Sequence, residues 1–193
     1  MVVRTESYFN ARVAELRSLA ARGDPWVFLC ASSFLEYLAK MESGKSTGAQ
    51  GYKDFLRDYL FKVCPEYGKF RYRSGKADLA DQMYHVLRCG VVHSFSVIAD
   101  QRAKASGGRD RSILLAHRSS GRTHLGNYVN NRRKPKLDAA VFIAEDFVED
   151  VAKVTTFIFA ESRKKTASGT RLRTNIRKWV KDYPPIGLLF IPD

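Results

Sequence analysis

The residues with chemical potential in this chain are Arg88 and His93. They are separated by four residues within the run Tyr84-His85-Val86-Leu87-Arg88-Cys89-Gly90-Val91-Val92-His93-Ser94-Phe95. The run is largely apolar, and a guanidinium among Leu87, Val91 and Val92 is costly to bury unless something pairs with it. Together the two residue types suit metal-free cleavage of a phosphodiester whose nucleophile, the 2′-hydroxyl of RNA, already lies in the substrate. Histidine titrates near neutral pH and can take or give the proton. Arginine is permanently charged and forks onto phosphate oxygens, where charge develops. A structural role is equally concrete: Arg88 pairing with Asp81 or another acid to tie helices together, and His93 capping a helix end.

Geometry constrains the chemical reading. On an α-helix, five positions turn through about 500°, which leaves the two side chains about 140° apart. Convergence on one phosphate then requires a distorted helix near Gly90 or a second copy of the chain. A two-fold dimer would supply two arginines and two histidines to one cleft.

The surrounding elements read as helices. Phe9, Val13, Leu16, Leu19 and Ala20 predict a helix over 6–22, ended by Gly23. Asp24 and Pro25 open a second helix that reaches about Glu42 through Trp26, Leu29, Phe34, Leu35 and Leu38. The loop after it contains Gly44-Lys45-Ser46-Thr47. Ala39 stands where a phosphate-binding loop needs its first glycine and no strand precedes it, which excludes that device. A third helix over 52–63 is stopped by Cys64-Pro65. Aromatic and basic residues interleave over 66–76, a pattern that can stack bases and hold phosphates or only cover a helix junction. Asp78 opens the helix that carries Arg88.

Two β-prone stretches, 112–117 and 123–129, flank Ser119-Ser120-Gly121 and predict an inserted β-hairpin at about 112–129. In that register His117 faces His124. Two histidines with no nearby carboxylate or thiolate do not make a metal site, so no metal and no cofactor are expected. Ala140, Ile143, Phe147, Val151, Val154, Ile158 and Phe159 keep helical spacing and predict the longest helix over 136–162. Glu145, Asp146, Glu149 and Asp150 form its solvated stripe. A basic amphipathic helix with Leu172, Ile176, Trp179 and Val180 follows, then an apolar tail over 186–191. The division expected is one domain over 1–165 with the hairpin inserted, and a basic helix and tail over 166–193 packed on it.

Composition bounds the partner class. The formal net charge of +13 over 193 residues suits a polyanion such as RNA. Between Arg102 and Lys136 stand ten basic residues against one acid, Asp110. Within that segment Arg132, Arg133 and Lys134 are the candidate nucleic-acid contacts. Residues 1–20 hold no apolar leader and no run approaches the ~20 residues of a membrane span, so a membrane is not expected as partner. Three widely spaced cysteines point to reduced thiols and a cytoplasmic location. No dinucleotide fingerprint, nucleophile elbow or zinc spacing is present.

Leu87-Arg88-Cys89-Gly90-Val91-Val92-His93, in a chain of helices, resembles the Leu-Arg-x-Gly-x-x-His form of the Arg-x4-6-His signature of the HEPN superfamily. The resemblance extends as a helical pattern over about 6–162 and is specific at Arg88, Gly90 and His93. It implies a mostly α fold, a HEPN-like helical bundle, that pairs as a homodimer so that both motifs line one cleft. It also implies a metal-independent endoribonuclease with Arg88 and His93 as catalytic residues, and an antitoxin protein as a possible partner. The alternative is a non-catalytic HEPN-like dimer that binds RNA or a nucleotide. Catalytic members carry Asn, Asp or His directly after the arginine, where this chain has Cys89. Toxin members modified by a nucleotidyltransferase antitoxin carry a Tyr where this chain has Phe95.

Overall fold

Apolar residues at 3–4 spacing drive the first two helices against a common core. In a computed structural model that describes residues 2–73, 78–91, 109–132 and 136–185, α1 spans Val2–Ala21 and α2 spans Trp26–Ser43. Phe9, Val13 and Leu16 of α1, and Val27, Ala31, Leu35 and Leu38 of α2, are buried. The Asp24 carboxylate accepts the Trp26 N–H at 3.0 Å, and so relieves one of the unpaired donors at the start of α2. Trp26, expected on the apolar face, is half exposed. Gly44 ends α2 at φ 67°, and a side chain there would collide with Asn175.

The next helix, α3, is not uniform. Ala49–Phe55 is α-helical, Leu56–Leu60 widens to i→i+5 bonding, and Phe61–Val63 returns to α. A short α4, Glu66–Lys69, follows Pro65. Asp78 caps α5 by accepting the Ala80 N–H at 2.9 Å. Helix α5 begins as Leu79–Gln82 and then winds with i→i+5 bonds over Met83–Val91, the stretch that carries Arg88. Lys53 pairs with Asp81, and Arg57 with Asp78, so α3 and α5 are tied by charge as well as by packing.

The inserted hairpin is not what forms. Strand β1, Arg109–Ala116, pairs with β3, Lys136–Ile143, in parallel from Arg109↔Lys136 to Ala116↔Ile143. Strand β2, Asn127–Asn130, pairs antiparallel with the opposite edge of β3, from Asn127↔Ala140 to Asn130↔Leu137. The sheet order is therefore β1-β3-β2, and β1 and β2 are never neighbours. The first eight residues of the expected long helix are in fact the central strand. Its apolar run Ala139–Ile143 is buried throughout, which is what a strand covered on both faces looks like. A run that short satisfies strand and helix spacing alike.

Helix α6 is therefore Ala144–Arg163, and α7 is Ala167–Asp182. Phe147, Val148, Val151, Val154, Ile158 and Phe159 place α6 at the centre of the molecule, each worth roughly 1.5–3 kcal/mol over exposure for a side chain of this size. Thr166 caps α7, and Leu172, Ile176, Trp179 and Val180 turn it onto α2 and α6. The fold is mostly helical with one small three-stranded sheet. The apolar tail over 186–191 lies outside the described residues.

Candidate functional site

Arg88 reaches out of the apolar face of α5 to an acid on α2. Its Nη2 donates to Glu36 Oε1 at 3.1 Å, and Lys40 Nζ donates to the same oxygen at 2.8 Å. The guanidinium also lies over the Tyr84 ring, 5.6 Å from its centroid, and Nη1 faces Cys89 Sγ at 3.9 Å. Arg88 retains 24% of its side-chain exposure and Glu36 12%, so the pair sits at the edge of the core. Burial works to raise the Glu36 ionisation, but the bonds from Lys40 and Arg88 outweigh it and hold the carboxyl below its ordinary range. Tyr52 adds a buried hydroxyl with no hydrogen-bond partner among the described residues. Burial, then the nearby Glu36 charge, push its ionisation upward.

The acid that meets Arg88 is Glu36, not Asp81. Asp81 instead takes Lys53 and stands 3.8 Å from His85 Nε2. Glu36 carries a signal in the sequence that the spacing of apolar residues conceals. It stands between Leu35 and Leu38 as Arg88 stands after Leu87, and two charges each embedded in an apolar face call for one another.

His93 lies outside the described residues, as do Arg133 and Lys134. Arg132 is exposed just after β2, where its N–H donates to Asn130 Oδ1 at 3.0 Å. Of the expected site residues, the two that are described, Arg88 and Arg132, sit on different elements and do not converge in one cluster. The 140° separation assumed α-helical winding. Up to Val91 this segment instead carries i→i+5 bonds, in which residues five apart stack on successive turns.

His117 and His124 do not face each other, because their strands are not paired. His117 Nε2 bonds Glu145 Oε1 at 2.9 Å. His124 joins a buried cluster around Asp150. Its Nδ1 accepts the Ile143 N–H at 3.0 Å, so the ring proton resides on Nε2, which points at Asp150 Oδ2 at 3.3 Å. Tyr67 donates to Asp150 Oδ2 at 2.9 Å, and Cys64 and Lys153 donate to Oδ1 at 3.1 and 2.8 Å. Burial alone would raise Asp150, yet these four donors bring it down to about 2. Burial, then the bond to Asp150, push the Cys64 thiol up to about 12. A thiol that remains protonated is no nucleophile, and a carboxylate with four donors is no base. The cluster ties the α3–α4 turn and the approach to β2 onto α6.

The acidic face of α6 is a solvated stripe only in part, since Glu149 and Asp146 keep 46% and 41% of their side-chain exposure and Glu145 18%. Glu149 holds Arg17 in a two-pronged pair, Asp146 holds Arg118, Glu145 holds His117, and Asp150 is buried. Among the described residues no group of three or more His, Cys, Asp or Glu side chains is placed to hold a metal ion. Also among them, no helix is long and apolar enough to cross a membrane. A groove of about 560 Å³ runs between α3, α6 and α7 past Tyr59, Lys62, Phe157 and Arg171. No family model, no curated protein and no solved structure matches this chain.

Proposed function

We propose that the protein acts on RNA as a HEPN-like, metal-independent endoribonuclease, with Arg88 as its phosphate-binding and charge-stabilising group and His93 as its proton carrier. The observation that supports this reading is the state of the Arg88 guanidinium. Glu36 holds it by one nitrogen and Tyr84 lies beneath it, while three of its five N–H donors have no partner among the described residues. A fixed, partly exposed cation with spare donors is preorganised for a phosphate oxygen, and preorganised charge is usually the largest single contribution to catalysis. The i→i+5 winding of α5 over Met83–Val91 departs from the α-helical geometry on which the 140° separation was based, which supports the pairing of Arg88 with a residue five positions on. In this proposal the protein is a homodimer that brings two such pairs to one cleft, with an antitoxin as a candidate further partner.

One observation favours the second reading, a non-catalytic RNA-binding module. Glu36 has Lys40 as well as Arg88, so the whole constellation also makes sense as a tether between α2 and α5. The two readings part on single-stranded RNA in EDTA. The nuclease cuts it, leaves DNA of the same sequence intact, and loses cleavage in His93→Ala while retaining binding. Intact RNA with undiminished binding leaves the module.

A further inference from the structure

We infer that the outward face of α7 is a docking surface for the phosphate backbone of a nucleic acid. From Arg163 to Lys181 the chain holds eight cations (Arg163, Lys164, Lys165, Arg171, Arg173, Arg177, Lys178 and Lys181) and no acid. Arg163 is paired with Glu6 and Lys164 with Glu161, and Arg173 donates to the Ser162 carbonyl. Arg171, Arg177, Lys178 and Lys181 are exposed and have no ion pair or hydrogen bond among the described residues. Elsewhere on this surface some cations are matched, Arg17 by Glu149, Arg57 by Asp78 and Asp54, Arg118 by Asp146, Lys153 by Asp150, while Lys45, Lys62, Lys69, Arg73 and Arg132 are exposed without an ion pair among the described residues. Among the described residues, α7 sets four such cations along a single helix face.

The placement is geometric as well as compositional. Leu172, Ile176, Trp179 and Val180 bury one side of α7. Arg171, Lys178 and Lys181 recur at i, i+7 and i+10 on the other side, with Arg177 beside them, over about 15 Å of helix axis, and Arg171 also lines the groove that Glu42, Asp58 and Glu161 share. A duplex presents one charge per about 1.7 Å of its axis, so a row of this length meets several phosphates at once. Thr170 and Thr174 accompany the cations outward, and Asp182, exposed at the end of α7 four positions from Lys178, is the one acid on this face. An anionic membrane surface favours a helix with a free apolar face, and all of this helix's apolar face is spent on the core. A protein partner favours aromatic and apolar anchors, which the outer row lacks. Charge alone is what it offers, and charge alone reads a backbone without reading its sequence.

The inference rests on RNA as partner and names where the affinity resides, independently of any cleavage. The test is binding of a fluorescein-labelled single-stranded RNA by anisotropy at 50 to 200 mM salt. It uses the full chain, the quadruple variant Arg171→Gln, Arg177→Gln, Lys178→Gln, Lys181→Gln, and the two double variants that divide it. All four positions are exposed, and circular dichroism and thermal melting check the fold. With about 0.7 counterion released per phosphate contact, the log–log salt slope should be shallower by about 3 in the quadruple variant, with each pair accounting for about half. Affinity at 50 mM salt should fall by roughly 10-fold or more. The triple variant Arg132→Gln, Arg133→Gln, Lys134→Gln should lose less. An unchanged slope in the quadruple variant beside strong wild-type binding overturns the α7 surface and leaves the RNA reading in place. No wild-type binding at 50 mM overturns both. Wild-type capture by phosphatidylserine vesicles that the quadruple variant loses, with RNA binding untouched, overturns the nucleic-acid surface in favour of a membrane.

Discussion

Arg88 and Glu36, fifty-two positions apart in sequence, meet at 3.1 Å and join α5 to α2 at the edge of the core. Removing the acid leaves Arg88 and Lys40 half-buried with no counter-charge. Glu36→Gln should therefore destabilise the fold by about 2 kcal/mol, less than the 3–5 kcal/mol of a fully buried pair because Arg88 keeps some water. Arg88→Met should cost a similar amount, and the double variant clearly less than the sum, by about 1 kcal/mol or more. Urea unfolding of the four proteins measures this. Strict additivity would mean that the two side chains are neighbours without being partners.

Asp150 should make stability sensitive to acid. Its folded-state ionisation lies at about 2, below the ordinary 3.8, so the contribution is fully present above about pH 4. It is lost as pH falls through the folded value, because protonation is easier in the unfolded chain. The difference of nearly two units amounts to about 2 kcal/mol. Wild type should lose about 1.5 kcal/mol more than Asp150→Asn between pH 5 and pH 2.5 in denaturant titrations, the remainder going only below the folded value. Parallel curves for the two proteins would remove Asp150 as the cause.

The helices were largely legible because their signal is periodic. Phe9, Val13 and Leu16 lie where their spacing put them, as do Leu172, Ile176 and Trp179. The sheet was misread for a physical reason. Ala139–Ile143 is short and apolar throughout, and it runs directly into Phe147 and Val151 at a spacing that a helix also satisfies. Once that strand is missed, β1 and β2 have only each other to pair with, and a hairpin follows. The partners of Arg88 and Asp150 were hidden for another reason. Glu36, Tyr67 and His124 are distant in sequence, and although Glu36 and Arg88 each stand out as a charge on an apolar face, nothing local says which distant group each one meets.

Gly169 yields a prediction opposite to helix propensity. A methyl group there would lie 2.5 Å from the Lys164 carbonyl oxygen and 2.7 Å from that of Glu161. Alanine in a helix is ordinarily better than glycine by about 1 kcal/mol. Here the clash is with backbone that cannot swing away, so Gly169→Ala should destabilise by about 1–3 kcal/mol. A raised melting temperature would show that the start of α7 is free to move off the end of α6.

The cysteines should differ in reactivity. Cys30 is exposed, whereas Cys64 is buried, bonded to Asp150 and pushed up to about 12. In the native protein at pH 8, a disulfide reagent should label Cys30 far faster than Cys64, and Cys64 should react freely only on unfolding. With the partly exposed Cys89 removed from both, comparable rates for Cys30→Ser/Cys89→Ser and Cys64→Ser/Cys89→Ser variants would mean that the Asp150 cluster opens readily.

The most direct measurement is of the 3′ ends produced when single-stranded RNA is incubated with the protein in EDTA. If Arg88 and His93 form a metal-free ribonuclease centre, wild type leaves 2′,3′-cyclic phosphates or their hydrolysed form, because the neighbouring 2′-hydroxyl is the attacking group. His93→Ala should then fall by at least the 10²–10⁴-fold expected of a lost proton carrier, while still binding RNA. Intact RNA after long incubation with wild type, or equal cleavage by His93→Ala, would contradict the account.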